Sequence, residues 1–127
     1  MARFLLATDS VHTTAAACDY LGDRVGPDDE VVVLSVVAPG GDDRDAGDAL
    51  NVARVRLPPG ATVETETREG DPAEVVRSLA VDLDVDEIVV GARAGSPGAD
   101  ADLGGTARAV LAASTVPVVV VPLSPLE

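Results

Sequence analysis

The sequence contains no lysine and no tryptophan, and it has one residue each of tyrosine, phenylalanine, cysteine and histidine. With so few aromatic side chains, a hydrophobic core must be built from Val, Ala and Leu, which suits a buried parallel sheet covered by helices. A single cysteine, Cys18, excludes a disulfide within the chain. Histidine and cysteine do not cluster, so no metal site of that kind is expected.

Positive charge is scarce. The nine basic residues face 22 acidic ones, and the formal net charge is −13. Such a charge repels nucleic acids and anionic membranes, so neither is expected as a partner. The acidic residues are spread over the chain rather than gathered in a tail, which favours a solvated surface adapted to a salty cytoplasm, as in a halophilic archaeon.

Long hydrophobic runs are also missing, since no segment approaches the ~20 apolar residues that span a bilayer. The opening "MARFLLATD" has too short an apolar stretch for a signal peptide, because it reaches Asp9 at once. We therefore expect a cytoplasmic protein. We also expect Cys18, in the run "AAAC", to be a buried and unreactive thiol on the inner face of a helix. The chain length suits a single domain over residues 1–127.

What the sequence does have is a regular alternation of strand-like and helix-like patterns. The alternation predicts an α/β fold with a parallel sheet, right-handed crossovers and helices on both faces. In residues 62–69, Val63 and two threonines alternate with charged side chains, which predicts an edge strand with one solvated side. The predicted strands are 3–8, 30–37, 62–69, 86–91 and 116–122; the predicted helices are 13–25, 70–84 and 105–115; 38–48 is a predicted loop, and 49–57 is an ambiguous short helix.

Two segments form a candidate binding site. In open parallel sheets, ligands bind at the carboxyl ends of strands where the strand order reverses. If strand 3–8 is central, Asp9 and the glycine-rich segment 91–106, "GARAGSPGADADLGGT", flank one crevice. Backbone N–H groups at the start of the last helix would favour an anion there. Asp100 and Asp102 oppose a phosphate, and Arg93 is the segment's only positive charge. The alternative is a surface loop without a ligand.

Four segments, taken in order and spacing, resemble the universal stress protein family. They are "LLATDS", "VVVLSVV", "EGDPAEVV" and "DEIVVGARA…LGGTARAVLAASTVPVVVV". The resemblance implies a five-stranded doubly wound sheet with strand order 3-2-1-4-5, and a homodimer that pairs through the C-terminal strand. The apolar run "VPVVVVP" independently favours a covered edge. The segment between the second and third strands is shorter than the family's, so a short second helix is expected.

Members of this family that bind ATP resemble one another in the motif G-x2-G-x9-G-[S/T]. Anchored on Gly91, the motif falls on Gly91, Ala94, Gly104 and Gly105, so its spacing is kept. Ala94 replaces a glycine and Gly105 replaces the hydroxyl residue. A register shifted by one residue restores both and ends on Thr106. A motif match of this kind is a hypothesis about the site.

The resemblance implies ATP, with Mg²⁺, as the candidate ligand. Asp9 would lie against the base or ribose, or else would cap the first helix. His12 is expected to be an exposed loop histidine rather than an acid–base catalyst. The full set of expected binding residues is Ala7, Thr8, Asp9, Val36, Gly91, Arg93, Ala94, Gly104, Gly105 and Thr106.

The sequence leaves two candidate functions, which belong to different functional classes. The first is a homodimeric stress-response protein that binds ATP as a signal; no residue is placed to activate water, so we do not expect an enzyme. The second is a family member that binds no nucleotide and acts as an interaction module for an unidentified protein partner. Retained nucleotide in the purified protein would distinguish them.

Overall fold

Strands and helices alternate along the chain in the computed structural model, which describes residues 2–37, 44–92 and 104–122. All five strands are parallel, in the spatial order β3-β2-β1-β4-β5. This confirms both the α/β fold and the predicted strand order. The elements are β1 (Arg3–Thr8), α1 (Val11–Leu21), β2 (Glu30–Val37), α2 (Arg44–Arg56), β3 (Thr62–Glu69), α3 (Pro72–Asp82), β4 (Glu87–Gly91), α4 (Gly105–Ala113) and β5 (Val118–Val121).

Apolar side chains fill both faces of the sheet, because successive residues of a strand point to opposite sides. Leu6 and Val33 belong to the core on the α1 and α2 side. Leu5 and Leu34 belong to the core on the α3 and α4 side. Cys18 is buried in the first of these cores, as predicted, and burial raises the pKa of its thiol to about 11.

The first helix begins earlier and ends earlier than the predicted 13–25. The Oγ of Ser10 accepts a 3.2 Å hydrogen bond from the N–H of Thr13, so Ser10 is the N-cap and the helix starts at Val11. This places His12 in the first turn of α1, where it is half-buried. The prediction of an exposed loop histidine was wrong, because the cap lies one residue after Asp9.

The second helix is longer than expected. It starts at Arg44, so the predicted loop 38–48 is wrong from residue 44 onward, and its 13 residues contradict the short second helix. Ala46, Ala49, Leu50 and Ala53 form its buried face at helical spacing. Residues 38–43 lie outside the described part of the chain. No helix in the described ranges is long and apolar enough to cross a membrane.

The third helix has the start that its sequence predicts. The side chain of Asp71 accepts a 3.1 Å hydrogen bond from the N–H of Glu74, and Pro72 occupies the first turn. The sheet ends in β3 on one side and β5 on the other. The predicted edge position of residues 62–69 is therefore confirmed, and several of their charged and hydroxyl side chains are exposed.

Candidate functional site

A cavity of about 280 Å³ lies at the carboxyl ends of β1 and β4, where the strand order reverses. Strand β1 pairs with β2 on one side and β4 on the other, so the chain leaves the two central strands in different directions and opens a crevice between them. Most of its lining is apolar. The lining residues are Ala7, Thr8, Asp9, Thr13, Leu34, Val36, Pro72, Val76, Val90, Gly91, Gly104, Gly105, Thr106 and Ala107.

Most of the expected binding residues meet in this cavity. The ones that line it are Ala7, Thr8, Asp9, Val36, Gly91, Gly104, Gly105 and Thr106. Arg93 and Ala94 lie outside the described residues. Their roles toward a ligand stay predictions, but the expected convergence of the Asp9 and Gly91 segments on one crevice is what the fold produces.

Several lining residues were missed by sequence reasoning. Leu34 and Val90 are strand residues just before Val36 and Gly91, and their position near a strand end was the available signal. The others come from helices: Thr13 from α1, Pro72 and Val76 from α3, and Ala107 from α4. No local pattern distinguishes these helix residues from ordinary core, since only packing brings them to the crevice.

The N-terminus of α4 forms one end of the cavity. Gly104 is its N-cap, in an extended conformation, and no side chain caps the helix. The N–H of Gly104 is occupied by the carbonyl of Ala92 at 2.7 Å, and the Gly104 carbonyl accepts the first intrahelical bond, from Arg108, at 3.0 Å. The N–H groups of the first turn have no intrahelical acceptor, and they lie at the positive end of the helix dipole. This end of α4 is suited to an anion.

Gly105 leaves room at the same place. A Cβ built on Gly105 would meet no heavy atom within 4 Å. Packing therefore does not require a glycine at this position, and a serine could be accommodated. Thr106, the hydroxyl residue of the shifted register, also lines the cavity and is exposed.

Asp9 lies at the cavity wall and is held by Thr13. The Oγ1 of Thr13 donates a 2.8 Å hydrogen bond to Oδ1 of Asp9. Thr13 is buried, and its own Oγ1 accepts from the hydroxyl of Ser10 at 3.2 Å. Because Ser10 caps α1, the alternative role of Asp9 as the helix cap was wrong. The carboxylate is instead fixed against the first turn at the cavity lining.

Buried hydroxyls fix the turn from which Asp9 projects. The Oγ1 atoms of Thr8 and Thr14 lie 2.8 Å apart, and both side chains are buried. Each hydroxyl also lies 3.0 Å from the carbonyl oxygen of Ser10, so one hydroxyl can donate to that oxygen while the other donates to its threonine partner. Buried polar groups that are satisfied in this way rigidify their surroundings. The turn between β1 and α1 is therefore a rigid support for Asp9.

The groups that line the cavity are suited to binding a small molecule. The cavity offers apolar walls, backbone N–H donors at the start of α4 and one carboxylate, Asp9. Apolar clefts with a few placed polar groups are typical of small-molecule sites. Among residues 2–37, 44–92 and 104–122, no group of three or more His, Cys, Asp or Glu side chains could hold a metal ion. The arrangement suits a ligand that joins an apolar group to an anion.

The fold is shared with solved structures of low sequence identity. The hypothetical protein MJ0577 superposes with a TM-score of 0.84 at 20% identity, over 98% of each chain. A universal stress protein in complex with cAMP has a TM-score of 0.74 at 21% identity, over 97% of this chain and 98% of that one. A universal stress protein from Archaeoglobus fulgidus in complex with dAMP has a TM-score of 0.65 at 19% identity, over 95% and 98%.

Sequence comparison identifies the family. No curated protein matches the chain significantly. The model of the universal stress protein family matches residues 41–122, which include β3, β4, β5 and the N-terminus of α4. That match covers more than half of the sequence, and the strand order agrees with it. The chain belongs to the universal stress protein family.

Proposed function

We propose that the chain binds an adenine nucleotide in the cavity between the ends of β1 and β4, as a regulatory homodimer and not as an enzyme. One observation carries this proposal: the first turn of α4, which no side chain caps, ends in an apolar cavity at the reversal of strand order. A phosphate and a base need these two features side by side.

The two ends of the cavity suit the two ends of a nucleotide. Leu34, Val36 and Val90 provide apolar surface on which a base can be buried. Gly104, Gly105 and Thr106 place main-chain donors where a phosphate can bind, and no Cβ at residues 104 and 105 stands in its way. The volume is near the lower limit for small-molecule sites, about 300 Å³.

The structural neighbours support the class of ligand. Two of them were solved with cAMP and with dAMP, and both share the fold of this chain. ATP is one member of this ligand class, and any Mg²⁺ would arrive with its phosphates. The proposal for this chain is therefore an adenine nucleotide, bound as a signal.

The first experiment asks whether nucleotide binds and where. Small molecules are extracted from heat-denatured purified protein, and adenine nucleotides are then titrated calorimetrically with and without Mg²⁺ in molar KCl. Gly105→Asp places a carboxylate at the N-terminus of α4, where it repels a phosphate. Gly47→Asp is the matched control, because Gly47 is an exposed helical glycine with open space around its Cβ position. We expect binding to be lost in Gly105→Asp and kept in Gly47→Asp; equal affinity of the two variants contradicts the proposed site.

The proposed homodimer pairs through β5. This strand is at the edge of the sheet, and Val118, Val119 and Val120 are only half-buried there. An apolar edge strand exposed to water is prone to association, so a second copy is a fitting cover.

A second function is favoured by one observation. Gly105 has no hydroxyl, although its surroundings would accommodate one. A family member that binds no nucleotide and contacts a protein partner would fit this feature. Absence of retained nucleotide, together with no binding at millimolar concentrations, would favour this function over the first.

A further inference from the structure

We infer that the cavity selects ligands with little phosphate charge, so that a nucleoside monophosphate or cyclic monophosphate binds more tightly than a nucleoside triphosphate. This inference rests on the proposed function and specifies the ligand within it. It follows from the charges of the described residues around the cavity, which are arranged poorly for a polyanion.

Asp9 is the one ionisable side chain among the cavity-lining residues that the structure describes. No described arginine lines the cavity, and the chain contains no lysine. Among the described residues, attraction for an anion therefore comes from the backbone N–H groups at the start of α4, which act as roughly half a positive charge. Half a charge at one helix end is well matched to one phosphate group and poorly matched to three.

Several described arginines are engaged elsewhere. Arg3 pairs with Glu30, Arg56 with Asp19 and Arg68 with Glu66. Arg108 lies on α4 one turn after Gly104, but it is exposed and does not line the cavity.

The net charge of the protein acts in the same direction. Each further phosphate adds negative charge to a complex whose protein already has a net charge of −13. Repulsion of this kind extends over about 8 Å at physiological ionic strength and about 3 Å in molar salt. Selectivity for low phosphate charge should therefore be strongest in dilute salt and should weaken as KCl is added. Mg²⁺ should improve the binding of ATP more than that of AMP, since it neutralises part of the triphosphate.

The test is a set of calorimetric titrations with AMP, cAMP and ATP, at 0.15 M KCl without Mg²⁺ and again in molar KCl. We expect AMP to bind about tenfold more tightly than ATP in the dilute salt, and the ratio to approach one in molar salt. Asp9→Asn should lower the ratio of the ATP and AMP dissociation constants, since it removes the carboxylate but keeps an oxygen to accept the hydrogen bond from Thr13. Asp23→Asn is the control, because it removes one exposed carboxylate in the turn after α1, outside the cavity lining.

The outcomes separate the two proposals. ATP binding as tightly as AMP in dilute salt without Mg²⁺ overturns the charge selectivity and leaves the proposed nucleotide site intact. The charge selectivity is also overturned, and the nucleotide site again left intact, if Asp9→Asn changes the ratio of the ATP and AMP dissociation constants no more than Asp23→Asn does. Failure of all three compounds to bind under either condition overturns the nucleotide proposal itself.

Discussion

The backbone N–H of Gly104 donates a 2.7 Å hydrogen bond to the carbonyl oxygen of Ala92. This bond fixes the N-terminus of α4 beside the carboxyl end of β4, on the crevice where the strand order reverses. The main chain positions these donors, so their place does not depend on the side chain at residue 105. For this reason the missing hydroxyl at Gly105 changes the strength of the proposed phosphate contact rather than its location.

Gly105→Ser should tighten nucleotide binding. The open space around the Gly105 Cβ position accommodates the side chain. A serine there adds a hydroxyl donor, worth about 1 kcal/mol or roughly fivefold in affinity. The measurement is the dissociation constant for AMP by calorimetry. Gly105→Ala is the control, since it adds the Cβ without the hydroxyl; the same affinity in both variants would show that the hydroxyl contributes nothing.

Thr13→Val should lower both stability and nucleotide affinity. The substitution keeps the shape but removes the hydroxyl that holds Asp9 at 2.8 Å, at a cost of about 1 kcal/mol in the free energy of unfolding. Asp9 would then lose this contact at the cavity wall, and AMP should bind a few-fold more weakly. Urea unfolding and calorimetry measure the two effects.

The control for this variant is Thr14→Val. Thr14 is buried and bonded to Thr8 at 2.8 Å, but it does not line the cavity. Thr14→Val should lower the free energy of unfolding by an amount similar to Thr13→Val, and it should change the affinity for AMP less. If both variants weaken AMP binding equally, the affinity loss reports general loosening of the turn, and the specific role of Thr13 is excluded.

The thiol of Cys18 should make stability depend on pH above 9. Burial is the largest cause that raises its pKa, from 9.0 to about 11, and the nearby Arg56 lowers it only in part. A raised pKa in the folded state stabilises the protein fully below pH 9, and this stabilisation is lost as pH rises through 11. The loss amounts to about 2–3 kcal/mol.

Comparison with Cys18→Ala isolates this effect from other groups that titrate in the same range. The difference in unfolding free energy between the wild-type protein and the variant should shrink as pH rises from 9 to 11. Native protein should also resist a thiol reagent at pH 8, and unfolded protein should react at once. A constant difference across this pH range, or rapid labelling of the native thiol, is incompatible with a buried neutral thiol.

Val120→Pro should convert the proposed dimer to a folded monomer. The Pro117 and Val121 carbonyls accept bonds from Ile88 and Ala92 of the β4 side. By strand alternation, the N–H of Val120 points away from β4 toward the open edge, where proline is tolerated. Sedimentation and circular dichroism measure assembly and folding. Val120→Ala removes packing alone and should stay dimeric; a dimeric Val120→Pro variant would place the interface elsewhere.

The sequence predicted the sheet well because its signals are local. Strands 3–8, 30–37 and 62–69 agree with the structure to the residue. The interior strands β1, β2 and β4 are strongly apolar, which is typical of a buried parallel sheet. Helix α3 begins where Asp71 and Pro72 predict, since capping depends on neighbouring residues alone.

The second helix was harder to predict for a physical reason. Its buried face is made mostly of alanine, at residues 46, 49 and 53, and alanine gives a weak hydrophobic pattern. The acidic residues before it resemble a loop, and its β-branched residues weaken helix propensity. Tertiary packing against α1, β2 and β3 decides the outcome, and no local window contains that information.

The site was predictable to a similar degree. Asp9 and Gly105 stand out because Asp9 follows β1 and Gly105 begins α4, both at a reversal of strand order. Thr13 does not stand out, since its role depends on Ser10 being the cap and on Asp9 being within 2.8 Å. Contacts of this kind depend on the geometry of the turn before α1, where the N-cap is Ser10 rather than Asp9.

The most direct test of the account is an AMP titration of isotopically labelled protein followed by amide NMR spectra. We expect the largest shifts on Gly105, Thr106 and Ala107 and on Ala7 to Asp9, while the β3 edge, Thr62–Glu69, is unaffected. Gly105→Asp should abolish these shifts, and Gly47→Asp should not. Shifts that are absent, or that centre on β3 and leave the first turn of α4 unchanged, would contradict the proposed nucleotide site.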